Sequence, residues 1–454
     1  MGASETDTTL HLDALRRFEA RQLDETAATC ERILTTASDD WLALRLLGAV
    51  RGRQGAFEEA VRLLTAALIN APPDTCQVVA MLNELAEALR GQQDLAAALD
   101  CYQRALAVNP RHAGTLHNCG STLVLLNRHA EALQQYRLAQ AVTPDAAELR
   151  FNEGLTLLAL GMWPEAWQLM EARLSVPALG LNELFPPSVP HWRGETDIGG
   201  KTILLQAEQG FGDTIQYVRY ANLVADRGAR IVLRVQPALS KLLAELPGVH
   251  QVITFDQDVP PVDLQCPLMS LPLAFSTTVD SVPAPVPYLR ARPEYMLVWQ
   301  VLLDHRRRKR IGIAWASRPV TLMRSMPVAT LAALLRRGDL EFHVLQPVIS
   351  AADRAWLDAS GSVVDHSSAL KDFADTAAAI AQMDLVITID TAVAHLAGAL
   401  GVPVWIMLPF SADGRWLIDR SDTPWYPTAR LFRQQRLGDW EGVVAEVVRA
   451  LFSA

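Results

Sequence analysis

The chain has 454 residues, half of them apolar and a fifth charged, with a formal net charge of −9. That length exceeds what one hydrophobic core organises and predicts two or three domains; the apolar share excludes wholesale disorder. The acidic total argues against nonspecific nucleic-acid binding. Only four lysines occur, Lys201, Lys241, Lys309 and Lys371, so any anion site is expected to be built from arginine. Cys30, Cys76, Cys101, Cys119 and Cys266 show no C-x-x-C pair and no metal-ligand spacing. Four fall in helical patterns, which predicts free thiols inside a core. The polar first seven residues form no basic-then-apolar leader, and no window has the uninterrupted apolar length of a spanning helix. The expectation is a cytoplasmic protein without a membrane span.

The first third carries a repeat. Gly48, Ala86, Gly120 and Gly154 form a series of small residues, and twelve positions after each stands Ala60, Ala98, Ala132 or Ala166. Pro72, Pro110 and Pro144 follow twelve further on. The last two steps are 34 residues and the first is 38, which implies a four-residue insertion near Pro73–Val78. Small residues where two helices cross, with proline closing the second helix, are what stacked helical hairpins need. The pattern resembles tetratricopeptide repeats. Residues 8–40 read as a degenerate first repeat with Ala27 in the alanine slot, and 147–176 as a last one. The resemblance implies a solenoid over 8–176 whose concave face binds a protein or peptide partner.

Residues 177–200 shift to Pro, Gly and Trp and read as a linker. From there strands alternate with helices in two halves, 201–300 and 311–435, with a C-terminal helix in 436–454. In the first half, Lys201–Leu205, Ile231–Val235 and Val252–Phe255 read as strands; a helix is expected over 214–226 and another through Leu246. Val282-Pro283-Ala284-Pro285-Val286-Pro287 ends that half in extended chain. The basic run 304–310 reads as a solvated loop before strand Ile311–Trp315, with a nucleic-acid or localisation patch as the alternative. In the second half the expected helices are 328–337, 351–359, 371–382 and 391–400, and the strands 341–345, 385–389 and 402–408. The last pattern, Asp439 to Phe452, reads as a helix crossing back onto the first half.

Four places could carry chemistry. Leu385–Ile389 is an apolar strand that breaks at Asp390-Thr391, good N-cap types, into the helix-forming run from Ala392. A helix start beyond a strand's carboxyl end can bind a phosphate or can be a simple junction. His395 lies one turn past Thr391 on the same helix face, as a packed residue or as part of that site. Gly210-Phe211-Gly212-Asp213-Thr214 follows the first strand; Asp213 either faces a cleft or only caps the helix, and the G-x-G-x-x-G cofactor fingerprint is absent. Trp315-Ala316-Ser317-Arg318 and Met323-Arg324-Ser325 again follow a strand. Phe410–Tyr426 interleaves Trp416, Trp425 and Tyr426 with Arg415, Asp419, Arg420 and Asp422, a loop that could stack on a sugar or base or clamp the last helix.

Jointly, residues 200–450 resemble the glycosyltransferases that include the ADP-heptose:lipopolysaccharide heptosyltransferases (glycosyltransferase family 9), in the branch with preceding repeats. Gly212-Asp213-Thr214-Ile215 is similar to the family's glycine–aspartate motif, Asp390–His395 to its D-[ST]-G-x-x-H motif, and Trp416–Gln434 to the branch's C-terminal segment. The resemblance implies an α plus α/β chain, a repeat solenoid followed by a GT-B fold of two Rossmann-like halves. It implies a bacterial, inverting, metal-independent transfer of a sugar from a nucleoside diphosphate sugar, ADP-heptose being that family's donor, to a protein or saccharide acceptor, with no cofactor. Asp213 would be the catalytic base. Gly212, Thr214, Ser317, Arg324, Gln346, Asp390, Thr391, Ala392 and His395 would bind the donor, with Arg324 in the basic phosphate-binding place. Ala392 replaces the usual glycine, the loop from Trp315 to Arg324 is short, and Pro347 follows Gln346 where lysine is common. These departures keep open a scaffold with a degenerate transferase domain, and an epimerase is a third reading.

Overall fold

The structure is a computed structural model that describes residues 5–72, 76–283, 286–303, 308–317 and 324–452. Ala284, Pro285, residues 304–307 at the start of the basic run, Arg318, Met323 and part of the Pro73–Val78 insertion lie outside the described residues. The chain divides into two compact units, Met1–Thr156 and Leu157–Ala454.

The first unit is helical: α1 Glu5–Glu19, α2 Leu23–Thr36, α3 Trp41–Arg53, α4 Phe57–Asn70, α5 Val78–Gly91, α6 Leu95–Val108, α7 Ala113–Leu125 and α8 His129–Val142, with α9 Ala147–Ala159 spanning the boundary. Helices pack as successive hairpins, α3 on α4, α5 on α6 and α7 on α8. The small-residue series sits where they cross. A Cβ on Gly48 would fall 2.8 Å from Leu64 Cγ, and one on Gly120 2.8 Å from Tyr136 Cε1. Ala60, Ala86, Ala98 and Ala132 are wholly buried. Pro72, Pro110 and Pro144 each stand two residues beyond the last residue of α4, α6 and α8, where a missing N–H costs the helix nothing. Cys30, Cys101 and Cys119 are buried in these helices and Cys266 is buried in a strand of the second unit; Cys76, exposed ahead of α5, is the one that departs from the expected core thiols.

The second unit opens with α10, Trp163–Met170. The hairpin read as a last repeat therefore places its second helix here: Trp163 stacks on Trp425 at 5.2 Å, and Trp167 Nε1 donates to the Thr277 carbonyl at 2.9 Å. Two all-parallel sheets follow. One has β1 Thr202–Gln206, β2 Arg230–Val235, β3 Val249–Thr254 and β4 Leu264–Pro267 in the order β3-β2-β1-β4. The other has β5 Lys309–Ala314, β6 Leu340–Val344, β7 Val363–Val364, β8 Leu385–Ile389, β9 Val404–Leu408 and β10 Ala429–Arg433 in the order β10-β9-β8-β5-β6-β7. Strand β8 is buried along its whole length between β5 and β9, as an apolar run with helices on both faces should be.

Helices α11 Phe211–Tyr217, α12 Ala221–Asp226, α13 Pro237–Leu243, α14 Leu271–Ala274, α15 Pro293–Leu302, α16 Ala332–Leu335, α17 Ala351–Ser360, α18 Phe373–Ile380, α19 Ala392–Ala399 and α20 Trp440–Phe452 complete the unit. Four differences from the sequence reading have local causes. The helix expected over 214–226 starts at Phe211 and passes through a 3₁₀ turn, Val218–Tyr220, because Gly210 caps it three residues earlier. That over 328–337 is a 3₁₀ turn, Val328–Leu331, followed by the single turn of α16. Strand β4 escaped notice because Leu-Gln-Cys-Pro carries a polar residue and a proline; Gln265 is buried since its Nε2 donates to the carbonyls of Pro186 and Val189 at 2.9 and 2.6 Å. The segment read as linker thus lies along β4, with Trp192 N–H donating to the Gln265 carbonyl at 2.8 Å.

The last correction concerns α20. It does not cross back onto the first sheet: Trp440, Val443, Val444, Val447 and Ala450, one face at helical spacing, join the core of the six-stranded sheet with Ile313, Phe342 and Phe432.

That sheet also buries a histidine pair. His343 Nδ1 lies 3.1 Å from His366 Nε2, with Glu341 and Arg310 facing the pair and Asp365 acting on His366. Burial first, then His366 and Arg310, push the His343 imidazole down to about 4, and burial lowers His366 too. A group that binds its proton less readily folded than unfolded favours the folded state above its unfolded pKa, near 6.5. Stability should therefore fall as pH drops from about 6.5 toward about 4. Urea titrations at both ends should show that slope, and His343→Gln should reduce it, His366 keeping its own share.

Candidate active site

In parallel sheets, ligands bind beyond the strands' carboxyl ends where strand order reverses. The four-stranded sheet reverses between β1 and β4, and the six-stranded sheet between β5 and β8. Beyond β1 and β4 stands a buried ion-pair cluster of the protein's own residues. Arg173, wholly buried, grips Glu208 through Nε at 2.9 Å and Nη2 at 2.8 Å, and also donates to Ser270 Oγ, Glu171 Oε1 and the Met170 carbonyl. The second crevice is flanked by Ser317 and Arg324 after β5 and by Asp390 and Thr391 after β8.

The site is assembled around α11 and α19, which pack on each other. Gly210 caps α11 and its N–H donates to Asp213 Oδ2 at 3.0 Å. The other oxygen, Oδ1, accepts from Arg415 Nη2 at 2.7 Å. Asp213 is thus both a helix-capping residue and one end of an ion pair that leads to the loop after β9. A Cβ on Gly212 would stand 2.7 Å from His395 Cδ2, so only glycine lets the two motifs touch. Thr391 caps α19, its Oγ1 accepting from the Val393 N–H at 3.3 Å.

Arg415 is the hub. It donates from Nη1 to Gln216 Oε1 at 2.7 Å and from Nε to Asp413 Oδ1 at 3.0 Å, besides holding Asp213. Asp413 in turn meets Arg324 Nη2 at 3.4 Å, and Arg324 Nη1 lies 3.3 Å from Asp390 Oδ2. A chain of charge therefore runs Asp213–Arg415–Asp413–Arg324–Asp390. Burial raises the Asp390 carboxyl above its ordinary value against the pull of Arg324 and Arg415. The Asp413 carboxyl resists its own burial: Arg415 and Arg324 hold it far below the carboxylate range and it stays ionised. Burial drives His395 well below 6.5, so its imidazole is neutral near pH 7. Its Nδ1 sits 2.9 Å from Tyr426 Oη, its ring stacks on Trp416 at 5.3 Å, and Nε2 is 3.8 Å from Asp390 Oδ1.

The structure thus brings together Gly212, Asp213, Arg324, Asp390 and His395, with Thr391 and Ala392 starting α19 beside Asp390. It turns two other candidates to main-chain or packing duties. Gln346 Oε1 accepts from the N–H groups of Trp315 and Ala316 at 2.9 and 3.2 Å and its Nε2 donates to the Val348 carbonyl, clamping the end of β5. Thr214 is buried with Oγ1 on Gln236 Oε1 at 3.0 Å. Ser317 hydrogen-bonds Ser325 through its N–H at 3.0 Å. The aromatic side chains of the loop are turned inward. Trp416, Trp425 and Tyr426 are all buried, packed on His395, Trp163 and Gly398, and so present no face to a sugar. Asp413, Arg415 and Gln216 escaped selection as site residues: Ser411-Ala412-Asp413-Gly414-Arg415 carries no spacing that points to Asp213, about 200 positions earlier. Arginine's dominance over lysine was the available signal. Among the described residues no group of three or more His, Cys, Asp or Glu is placed to hold a metal ion, and no helix is long and apolar enough to cross a membrane.

Comparison with known proteins places this geometry in context. The tetratricopeptide-repeat family model matches residues 77–145, so that stretch consists of such repeats. Protein FlbA of Caulobacter vibrioides is 23% identical over 324 residues, which are 63% of this chain and 52% of FlbA, so the chain spans about half the length of that curated relative. Among solved structures, a glycosyl transferase family 9 protein from Veillonella parvula superposes on 57% of this chain and 98% of its own, with 11% identity and a TM-score of 0.45. YrrB, described as a TPR protein with an unusual peptide-binding site, covers 37% of this chain and 85% of its own at 20% identity and a TM-score of 0.32.

Proposed function

We propose that the second unit is an inverting glycosyltransferase of the GT-B arrangement that uses a nucleoside diphosphate sugar, and that the repeats recruit its protein or saccharide acceptor. The observation that carries the reading is convergence. A glycine–aspartate turn after β1 and an Asp-Thr helix start after β8, far apart in sequence, meet through Gly212 on His395 and through the ion-pair chain from Asp213 to Asp390. In this scheme Asp213 takes the proton of an acceptor hydroxyl while its oxygen bonds to the anomeric carbon. The anomeric carbon–oxygen bond to the diphosphate breaks on the opposite face, and the electron pair leaves with the diphosphate. Arg324 and the start of α19 receive that developing charge. Neutral His395 sets the packing between the two motifs and adds no charge of its own.

A second reading has its own support. Both described guanidiniums of the cluster are already spent on carboxylates and Ala392 stands where glycine is usual, as in a degenerate domain that serves a repeat scaffold. A thermal-shift panel of nucleoside diphosphate sugars, ADP-heptose included, followed by acceptor-free and acceptor-dependent turnover assays, separates the two. A ligand at a hundredfold its Kd should add about 2.7 kcal/mol of stability. Binding with acceptor-dependent release of nucleoside diphosphate is expected. Silence across the panel would leave the scaffold, and conversion of the sugar without acceptor would mean an epimerase.

A further inference from the structure

We infer that Arg415 is a shared ligand, held by Asp213 in the free protein and transferred to the donor's diphosphate on binding, so that donor occupancy is what releases the base. The inference rests on the transferase reading above and adds to it a positioning residue.

Asp213, Asp390 and Asp413 face two guanidiniums, Arg324 and Arg415, with His395 neutral. Among the described residues of this cluster, an incoming diphosphate therefore meets committed cations, and binding to one draws it away from a carboxylate. Asp413 is the partner least easily exchanged: it accepts from both the N–H and Nε of Arg415, two residues on in the same loop, and also faces Arg324. The Arg415–Asp213 contact is different in kind. It spans from the loop after β9 to α11 at the end of β1, uses a single guanidinium nitrogen, and leaves both groups partly accessible, with side chains 12% and 15% exposed.

Two further observations point the same way. In the free state each Asp213 oxygen accepts one hydrogen bond, Oδ2 from the Gly210 N–H and Oδ1 from Arg415, so an acceptor hydroxyl that approaches Oδ1 meets the guanidinium beside it. Beside it, Gln216 is wholly buried and gives its Oε1 to Arg415, while its Nε2 has no hydrogen-bond partner. Unpaired buried donors are costly; an anion drawn to Arg415 could satisfy this one. Exchange of Arg415 onto phosphate oxygens thus frees Oδ1 and couples base activation to the presence of donor.

Linkage makes this testable through binding alone. ADP, UDP and GDP are titrated calorimetrically into the full chain carrying no change, Asp213→Asn, Arg415→Ala, or both. If Arg415 must leave Asp213, then Asp213→Asn should tighten the nucleotide that binds by about fivefold or more, the scale of an ion pair of about 1 kcal/mol. Arg415→Ala should weaken it, and adding Asp213→Asn to Arg415→Ala should change it less than twofold. No tightening in Asp213→Asn overturns the inference whatever the fold of the Arg415 variants. Equal tightening in the Arg415→Ala background, or in Arg415→Gln should the alanine variant not fold, overturns it too, because simple repulsion by Asp213 would then account for the effect. Failure of all three nucleotides to bind the unaltered chain removes the transferase reading itself, an outcome distinct from binding without coupling.

Discussion

Asp213→Asn is expected to lower sugar transfer by about 10²- to 10⁴-fold, the usual contribution of a positioned general base, while leaving the protein folded. Asparagine keeps an oxygen for the Gly210 N–H, so the cap of α11 survives, and the lost pair with Arg415 is partly solvated. What asparagine cannot do is accept a proton from an attacking hydroxyl. The measurement is single-turnover transfer alongside nucleotide binding and thermal melting. Retained melting and binding with collapsed transfer assigns the loss to chemistry. Transfer within about threefold of the unaltered chain would place the base elsewhere, since effects of that size are below what general-base removal produces. The comparison with Asp390→Asn sharpens this. Asp390 is 3% exposed and its charge is opposed by burial, so its neutralisation should disturb packing around Arg324 more than the proton-transfer step.

The parts of this architecture that were legible in the sequence are those with a period or a cap. Gly48, Gly120 and the buried alanines recur because helix crossings recur, and β8 with its turn at Thr391 is announced by an unbroken apolar run ending in an N-cap residue. The site was legible only as two separate halves. Gly212 and His395 each carry a local signal, but that one packs against the other is a property of the tertiary fold. In the sequence Arg415 is one charge among several in an aromatic loop; its role depends on Asp213 and Gln216, on the helix that follows a strand of the other sheet. The aromatics misled for a related reason. Trp416 and Tyr426 resemble a stacking platform in one dimension, yet both are enclosed by α19, where Gly398 lets the Tyr426 ring approach to 2.4 Å of a would-be Cβ. Strand β4 lacks the apolar continuity that marks β8, because its Gln265 is buried against the carbonyls of Pro186 and Val189, far earlier in the chain.

Arg173→Met should be the most destabilising single change outside the site, costing about 3–5 kcal/mol, because it strands Glu208 as a buried charge without its partner. The guanidinium contributes all three nitrogens to five acceptors, and no methionine conformer replaces any of them. Lysine should rescue little, since one ammonium cannot reproduce the two-point grip on Glu208. The double change Arg173→Met with Glu208→Met should recover most of the loss, because a buried ion pair replaced by apolar side chains of similar volume is often neutral. Urea unfolding of the three variants reads these values directly. A single-variant loss near zero would mean that Glu208 is reached by water in solution. The functional consequence follows from position. Glu208 also accepts the Met269 N–H at 3.1 Å and stands in the loop between β1 and α11, five residues before Asp213. Loosening that anchor should reduce transfer by letting Asp213 and Gly212 drift from Arg415 and His395, with nucleotide affinity falling in parallel. The double-methionine protein, with the crevice refilled, should regain both together. That joint recovery is what separates an anchor for the site from a residue that merely stabilises the sheet.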